Sequence, residues 1–184
     1  GGIGADGLLI AERRGLRLRY YNADGTEAFC GNGSRCGAWW MHARGWAGKR
    51  REFIFTTNEG ALRARMTGPS RAAVAMPRPK LLRDTFTLEA ESQTWRLQHW
   101  DTGVPHAVVI VDDVDSIPVL EAGSALRHHK AFAPRGANVD FMARRDGGLV
   151  MRTYERGVEA ETLACGTGAV ACAAAAQTLG WTLA

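Results

Sequence analysis

Tyr154–Ala176, YERGVEAETLACGTGAVACAAAA, sets a cysteine between a charged turn and a helix. From Ala169 onward nearly every residue is alanine, the strongest helix former. Cys165-Gly166-Thr167-Gly168 is therefore predicted to be the turn that opens that helix. Unpaired N–H groups and the positive end of the helix dipole favour an anion at such a place. Cysteines there have pKa values of roughly 3.5 to 7.5 in place of about 8.5, so Cys165 is expected to ionise readily. The flanking glycines let backbone N–H groups approach a ligand closely.

The same device stands earlier in the chain as Cys30-Gly31-Asn32-Gly33-Ser34-Arg35-Cys36, running into Gly37-Ala38-Trp39-Trp40-Met41. The parallel extends upstream. Ala5-Asp6-Gly7-Leu8 matches Val139-Asp140-Phe141-Met142, and Leu18-Arg19-Tyr20 matches Arg152-Thr153-Tyr154, each pair reading as two strands that feed a CGxG turn. This is the pattern of a duplication. If the halves pack face to face, the two helix starts converge on one cleft with a thiol on each wall.

At 184 residues the chain has material for two small domains with ample core. The boundary is expected where Pro77 and Pro79 break the strand pattern, giving half-domains 1–78 and 79–184. The net charge of +4 comes from basic residues scattered along the chain, which reads as an enzyme surface rather than a nucleic-acid partner. No stretch approaches the roughly 20 apolar residues of a membrane span. No signal peptide is visible, and because the sequence opens at Gly1 without Met a leader further upstream stays open.

The four cysteines, Cys30, Cys36, Cys165 and Cys172, lack the close hooks of a zinc site and the secretory context of a disulfide framework. Neither a metal nor a cofactor is expected, and the thiols read as reduced and cytoplasmic. Cys36 and Cys172, further along their helices, are expected to be small buried hydrophobes. Trp39, Trp40 and Met41 are likewise expected in the core.

In chain order, the glycine-rich turn Gly2-Ile3-Gly4-Ala5-Asp6-Gly7 enters a strand that pairs with Leu16–Tyr21. Without GK[ST] it is no nucleotide P-loop. Asn22-Ala23-Asp24-Gly25 is a turn, and Asn22 serves it either as a turn residue or as a ligand contact. Strands are predicted over 52–57, 60–66 and 71–76, then over 86–90, 94–100 and 107–111. A helix is predicted over 114–127, and a hairpin over 136–142 and 149–154. His106, between a Gly/Pro turn and a buried strand, leaves a structural and a catalytic reading open. Glu155 and Arg156 follow a strand end, where they reach a cleft or form a surface ion pair.

Two helix-start thiols without metal or cofactor loop suit one chemistry. A proton leaves a carbon on one face and another arrives on the opposite face, with thiolate and thiol tuned near the operating pH. Backbone N–H groups after each cysteine would meet the charge that builds on an adjoining carboxylate.

Taken together, Tyr21-Asn22-Ala23-Asp24-Gly25, Cys30–Cys36, Gly103-Val104-Pro105-His106, Asn138-Val139-Asp140-Phe141, Tyr154-Glu155-Arg156-Gly157 and Glu161–Gly168 resemble diaminopimelate epimerase through essentially the whole chain. The resemblance implies an α/β (α+β) fold of two pseudo-symmetric domains, each a curved, mostly antiparallel half-barrel sheet around a central helix. It implies a PLP-independent isomerase, a homodimer, that interconverts LL- and meso-2,6-diaminopimelate for lysine and peptidoglycan synthesis. Carried over residue by residue, it makes Cys30 and Cys165 the acid/base pair, with His106 assisting Cys30 and Glu155 assisting Cys165. It makes Asn22, Asn138, Glu155 and Arg156 substrate contacts, the arginine suited to a distal carboxylate. Gly31-Asn32 and Gly166-Thr167 would hold the reacting carboxylate.

The family pattern continues past both ends of this sequence, so the first half-domain is expected to be truncated at its start and the second at its end. Gly7 stands where some members place a substrate-binding Gln, and Val104 where some place Asn. Two other readings remain: another two-cysteine racemase of the same fold, acting on proline or hydroxyproline, and an inactive fragment. A thiol redox protein would need a CxxC or resolving cysteine that the sequence lacks. A purely binding domain would not need two glycine-flanked helix-start thiols.

Overall fold

The computed structural model describes residues 4, 5 and 7–181; Gly2, Ile3 and Asp6 of the opening turn lie outside them. The chain divides into two compact units, Gly1–Pro77 and Arg78–Ala184. The expected class is what the structure shows: mixed α/β, with two sheets, one curled into a half-barrel, and few helices.

In the first unit β1 (Gly7–Glu12), β2 (Arg17–Asn22), β3 (Glu27–Ala28), α1 (Gly31–Ala43), β4 (Glu52–Thr57), β5 (Gly60–Gly68) and β6 (Arg71–Val74) follow in order. The sheet runs β1-β2-β4-β5-β6, with β3 added on β2. Only β2 and β4 are parallel. β4 and β5 alternate buried and exposed, so Phe53, Phe55, Leu62, Ala64 and Met66 share one face, as expected of a sheet with one wet side. α1 lies on this sheet.

Three expectations for α1 are corrected. Cys36 is exposed, and Trp39 and Trp40 are each 37% exposed, whereas Met41 is fully buried. The helix buries Gly33, Ser34, Gly37, Ala38 and Met41, one stripe at spacings of three and four. Positions 36, 39 and 40 fall on the opposite face, and no second layer among the described residues of this unit covers it. Gly37 is the contact point, since a Cβ there would lie 2.5 Å from a methyl of Leu18.

Gly7 is equally constrained. A Cβ built on it would meet the Tyr20 ring at 2.4 to 2.5 Å, so the tyrosine fills the space that a side chain at position 7 would need. Gly7→Ala is therefore expected to destabilise the first unit by about 1–3 kcal/mol through overpacking. Most of that cost should vanish in a Tyr20→Ala background. Urea unfolding of the four-member cycle measures the coupling, and additive effects would show that the ring is not the obstacle.

The second unit contains β7 (Lys80–Ala90), β8 (Gln93–Asp101), β9 (Pro105–Ile110), α2 (Val119–Arg127), β10 (Asn138–Arg145), β11 (Gly148–Glu155), β12 (Ala160–Thr162) and α3 (Gly166–Thr178). The sheet order is β12-β11-β10-β9-β8-β7, antiparallel except for β9 against β10. α2 begins at Val119 rather than Val114, because Pro118 disfavours helical backbone at the residue before it. β7 starts six residues earlier than its sequence suggests, across an exposed, bulged stretch with no alternation to read.

β10 is buried on both faces. Val139, Phe141 and Ala143 join Ala107, Val109, Ala122 and Leu126 in the core beneath α2. Val108 and Met142 pack with Ala171, Cys172, Ala175 and Ala176 of α3. Since strand side chains alternate, His106, Asn138 and Asp140 share the α3 face with Val108 and Met142. The alanine run is what lets α3 lie close on that face. The hairpin β10–β11, short β12 and 13-residue α3 repeat, element for element, the hairpin β1–β2, short β3 and 13-residue α1.

Candidate active site

Each CGxG turn builds the same cap. Cys30 is the N-cap of α1 with φ −129° and ψ 110°, and its sulfur accepts the Gly33 N–H at 3.2 Å. Cys165 is the N-cap of α3 with φ −121° and ψ 107°, and its sulfur accepts the Gly168 N–H at 3.4 Å. A cysteine thus does at both helices what Ser or Asp usually does, satisfying an N–H that the helix leaves open. Around Cys30, Asn32 accepts from Arg35 at 2.7 Å. Asn22 closes its turn by donating to the Thr26 hydroxyl at 3.1 Å.

Cys165 has several polar neighbours within its own unit. Thr167 Oγ1 lies 3.3 Å from its sulfur. A ring nitrogen of His106, a carboxylate oxygen of Asp140 and the Cys165 sulfur all lie within 4.8 Å of one another. His106 and Asp140 are completely buried, and Nδ1 of the histidine is 2.7 Å from Oδ2 of the aspartate. Asp140 Oδ1 accepts the Thr153 hydroxyl at 2.7 Å. A Cβ on Gly168 would lie 2.3 Å from that same Oδ1, so the glycine admits the carboxylate beneath the helix start. The resemblance assigns His106 to Cys30; within its own unit the ring sits beside Cys165.

Three such groups also recommend a metal site, but the geometry is that of a hydrogen-bonded dyad. Two ligands on a tetrahedral zinc with bonds of about 2.0 Å stand about 3.3 Å apart, and the His106–Asp140 contact is 2.7 Å.

Glu155, at the end of β11, accepts the Thr162 hydroxyl at 2.6 Å. Asn138 accepts the Arg156 N–H at 2.9 Å and donates to Pro105 O at 3.2 Å, so its amide ties the turn before His106 to the turn carrying Arg156. Asp140 is the residue that sequence reading passed over. The signal was a single carboxylate inside the apolar run Val139–Ala143, a charge that burial on both faces forces to be paired.

The expectation that Cys165 ionises readily is overturned. Burial, then the charges of Asp140 and Glu155, push its thiol from the ordinary 9.0 to about 12; the Thr167 and Gly168 hydrogen bonds oppose this and lose. The folded state therefore holds this proton more tightly than the unfolded chain, and the associated stability is lost as pH rises from about 9 through about 12. Cys165 is expected to react with iodoacetamide at neutral pH at least about tenfold more slowly than exposed Cys36, its rate rising about tenfold per pH unit. Mass mapping of the alkylated peptides tests this, and a rate that levels off below about pH 8 would refute the protonated thiol.

A groove of about 780 Å³ along α1 is lined by Cys36, Trp39, Trp40, Leu9 and Leu18 among others, but not by Cys30. No helix among the described residues is long and apolar enough to cross a membrane.

Residues 99–182 match the family described as diaminopimelate epimerase. The diaminopimelate epimerase of Hydrogenobaculum sp. is 38% identical over 187 residues, covering 97% of this chain and 67% of its own length. That of Chlorobaculum tepidum is 39% identical over 184 residues, covering 97% and 70%. The chain thus spans about two thirds of the length of these relatives. Among solved structures, a hydroxyproline epimerase from Agrobacterium vitis superposes with a TM-score of 0.72 at 18% identity, covering 96% of this chain and 60% of that one. A probable proline racemase from Agrobacterium radiobacter gives 0.69 at 19%, covering 96% and 61%. The solved structures share the fold, and the sequence relatives share far more of the residues. On that likeness, which runs over 97% of the chain, it belongs to the diaminopimelate epimerase family, a family of isomerases.

Proposed function

We propose that this chain carries the epimerisation of LL- and meso-2,6-diaminopimelate by a cofactor-independent, two-base route in which Cys30 and Cys165 are the proton carriers. The observation that carries the reading is the shared cap: two cysteines, one per unit, hold their sulfurs against helix N–H groups with nearly the same backbone angles. Inversion at carbon requires a base on one side and an acid on the other. A thiol held protonated, as Cys165 is, suits the acid role.

The N–H groups after each cysteine are suited to the reacting carboxylate, each worth about 3 kcal/mol on the oxyanion-hole scale. Gly31-Asn32 and Gly166-Thr167 supply them, Arg156 meets the distal carboxylate, and Asn22 and Asn138 position their surroundings. His106 and Glu155 tune the thiols. On this reading the reaction serves lysine and peptidoglycan precursor synthesis and is carried out by a cytoplasmic homodimer.

Turnover of one stereoisomer in heavy water tests the route. Solvent deuterium should enter the inverted product at the α carbon, with almost none in recovered substrate at early times, because the two protons belong to different thiols. Proline and hydroxyproline, offered in parallel, should not react. Equal early labelling of substrate and product would mean a single shared base and end the paired-cysteine reading.

A further inference from the structure

The turn from Arg156 to Glu159 joins β11 to β12, and two side chains hold its first half. The Arg156 N–H donates to Asn138 Oδ1 at 2.9 Å, and the Gly157 N–H donates to Glu159 Oε1 at 2.9 Å. These N–H groups belong to the two peptides on either side of the Arg156 Cα. Peptides are planar, so holding both fixes the direction in which the arginine side chain leaves the backbone.

Glu159 is an unusual residue for its place. Its φ is +57°, in the left-handed region that glycine or asparagine occupies more easily. The carboxylate is therefore the feature to explain. Its Oε1 also accepts Arg127 Nε at 3.1 Å and Arg127 Nη2 at 3.0 Å, and the Tyr154 hydroxyl donates to its Oε2 at 3.4 Å. Burial opposes the charge, but the Gly157 N–H and Arg127 outweigh it and hold the carboxyl below its ordinary pKa.

Arg127 is itself held. It ends α2, its Nη1 donates to Arg135 O at 3.1 Å, and its side chain is only 15% exposed. Gly136, at φ +69°, makes the room, since a Cβ there would overlap that same Nη1. Further up the helix, Gly123 lies so close to Tyr154 that a Cβ on it would sit 2.5 Å from the tyrosine Cβ. α2 is thus seated on β11, and the guanidinium carries that seating across to the turn. Ion pairs near a surface add little stability; this one supplies geometry.

We propose that Glu159, anchored by Arg127, is a positioning residue for Arg156: with Asn138 it sets the aim of the arginine and so its grip on the far carboxylate of the substrate. The role rests on reading Arg156 as the contact for that carboxylate.

The test uses Glu159→Gly, which suits the left-handed backbone and so does not threaten the fold, and Glu159→Gln, which keeps an acceptor oxygen. In the unmodified chain the Gly157 amide proton should show the small temperature coefficient of a hydrogen-bonded group. In Glu159→Gly it should show the larger coefficient of a solvated one, with the Arg156 amide resonance shifted as well. With diaminopimelate as substrate, Glu159→Gly should raise KM about tenfold and leave kcat within about twofold, while Glu159→Gln recovers most of the loss. In an Arg156→Ala background the same change should add nothing further to KM, because there is no arginine left to aim. A residue serving only the fold would instead show an unchanged KM and an unchanged or raised urea midpoint in Glu159→Gly. That result overturns the proposal, as does a KM effect that persists in full without Arg156. The amide readout needs no substrate. If the unmodified chain does not turn diaminopimelate over, the reading of the reaction fails, and the Gly157 and Arg156 amides still decide whether Glu159 holds the turn; resonances unmoved in Glu159→Gly would end the proposal by themselves.

Discussion

Cys165→Ala is expected to reduce epimerisation by at least about a thousandfold, and Cys30→Ala by as much, with the fold retained. On the proposed two-base route each position supplies the proton carrier for its side of the α carbon, and a positioned acid or base is worth about a hundred- to ten-thousandfold. Alanine removes the sulfur while keeping the β carbon. The cost to the helix is limited to one cap contact of about 1 kcal/mol, so circular dichroism and urea midpoints should move little. Exposed Cys36→Ala should leave turnover alone, and buried Cys172→Ala should change stability more than rate. Retention of more than about 1% of activity by either helix-start variant would remove that cysteine from the chemistry.

The second large effect is on stability. Phe141 has no exposed surface, lies under α2 and meets the Trp95 ring edge-on with centroids 5.6 Å apart. Phe141→Ala should cost about 3–5 kcal/mol, because the strands on either side hold the backbone and the cavity collapses little. Leu163, fully exposed, is the matching control, and Leu163→Ala should lie within about 0.5 kcal/mol of the unmodified chain. Chemical denaturation followed in the second unit measures both. A cost below about 1 kcal/mol at Phe141 would mean that this core is more plastic than its packing implies.

Local chemistry is what made parts of this structure legible. The start of α3 was readable because glycines end abruptly in an alanine run, and β4 because its alternation is strict. β7 was not, since its exposed and bulged first half carries no period. The start of α2 was misplaced because Val114 and Ile117 look like helix positions until Pro118 is given its steric weight. Trp39, Trp40 and Cys36 look like core by composition; only the stripe through Gly33, Gly37 and Met41 shows which face of α1 packs. Cys165 was misjudged for a related reason. A helix start is visible in four residues, but the burial and the carboxylates that outweigh it come from Asp140 and Glu155, on strands brought in by the fold.

The strand order of the second unit also divides its candidate site by durability. β9 and β10, which carry His106 and Asp140, are the two central strands, while β12 is an edge and the turn holding Arg156 hangs between it and β11. Local opening begins where backbone hydrogen bonds meet water and ends in the centre of a sheet. Amides of β9 and β10 should therefore be the last in this unit to exchange with solvent, and those around Arg156 among the first. On the proposed roles, the arginine that meets the far end of a ligand and the histidine beside the reacting centre stand in parts of the unit that loosen at different free energies, so mild denaturant should raise KM before it lowers kcat.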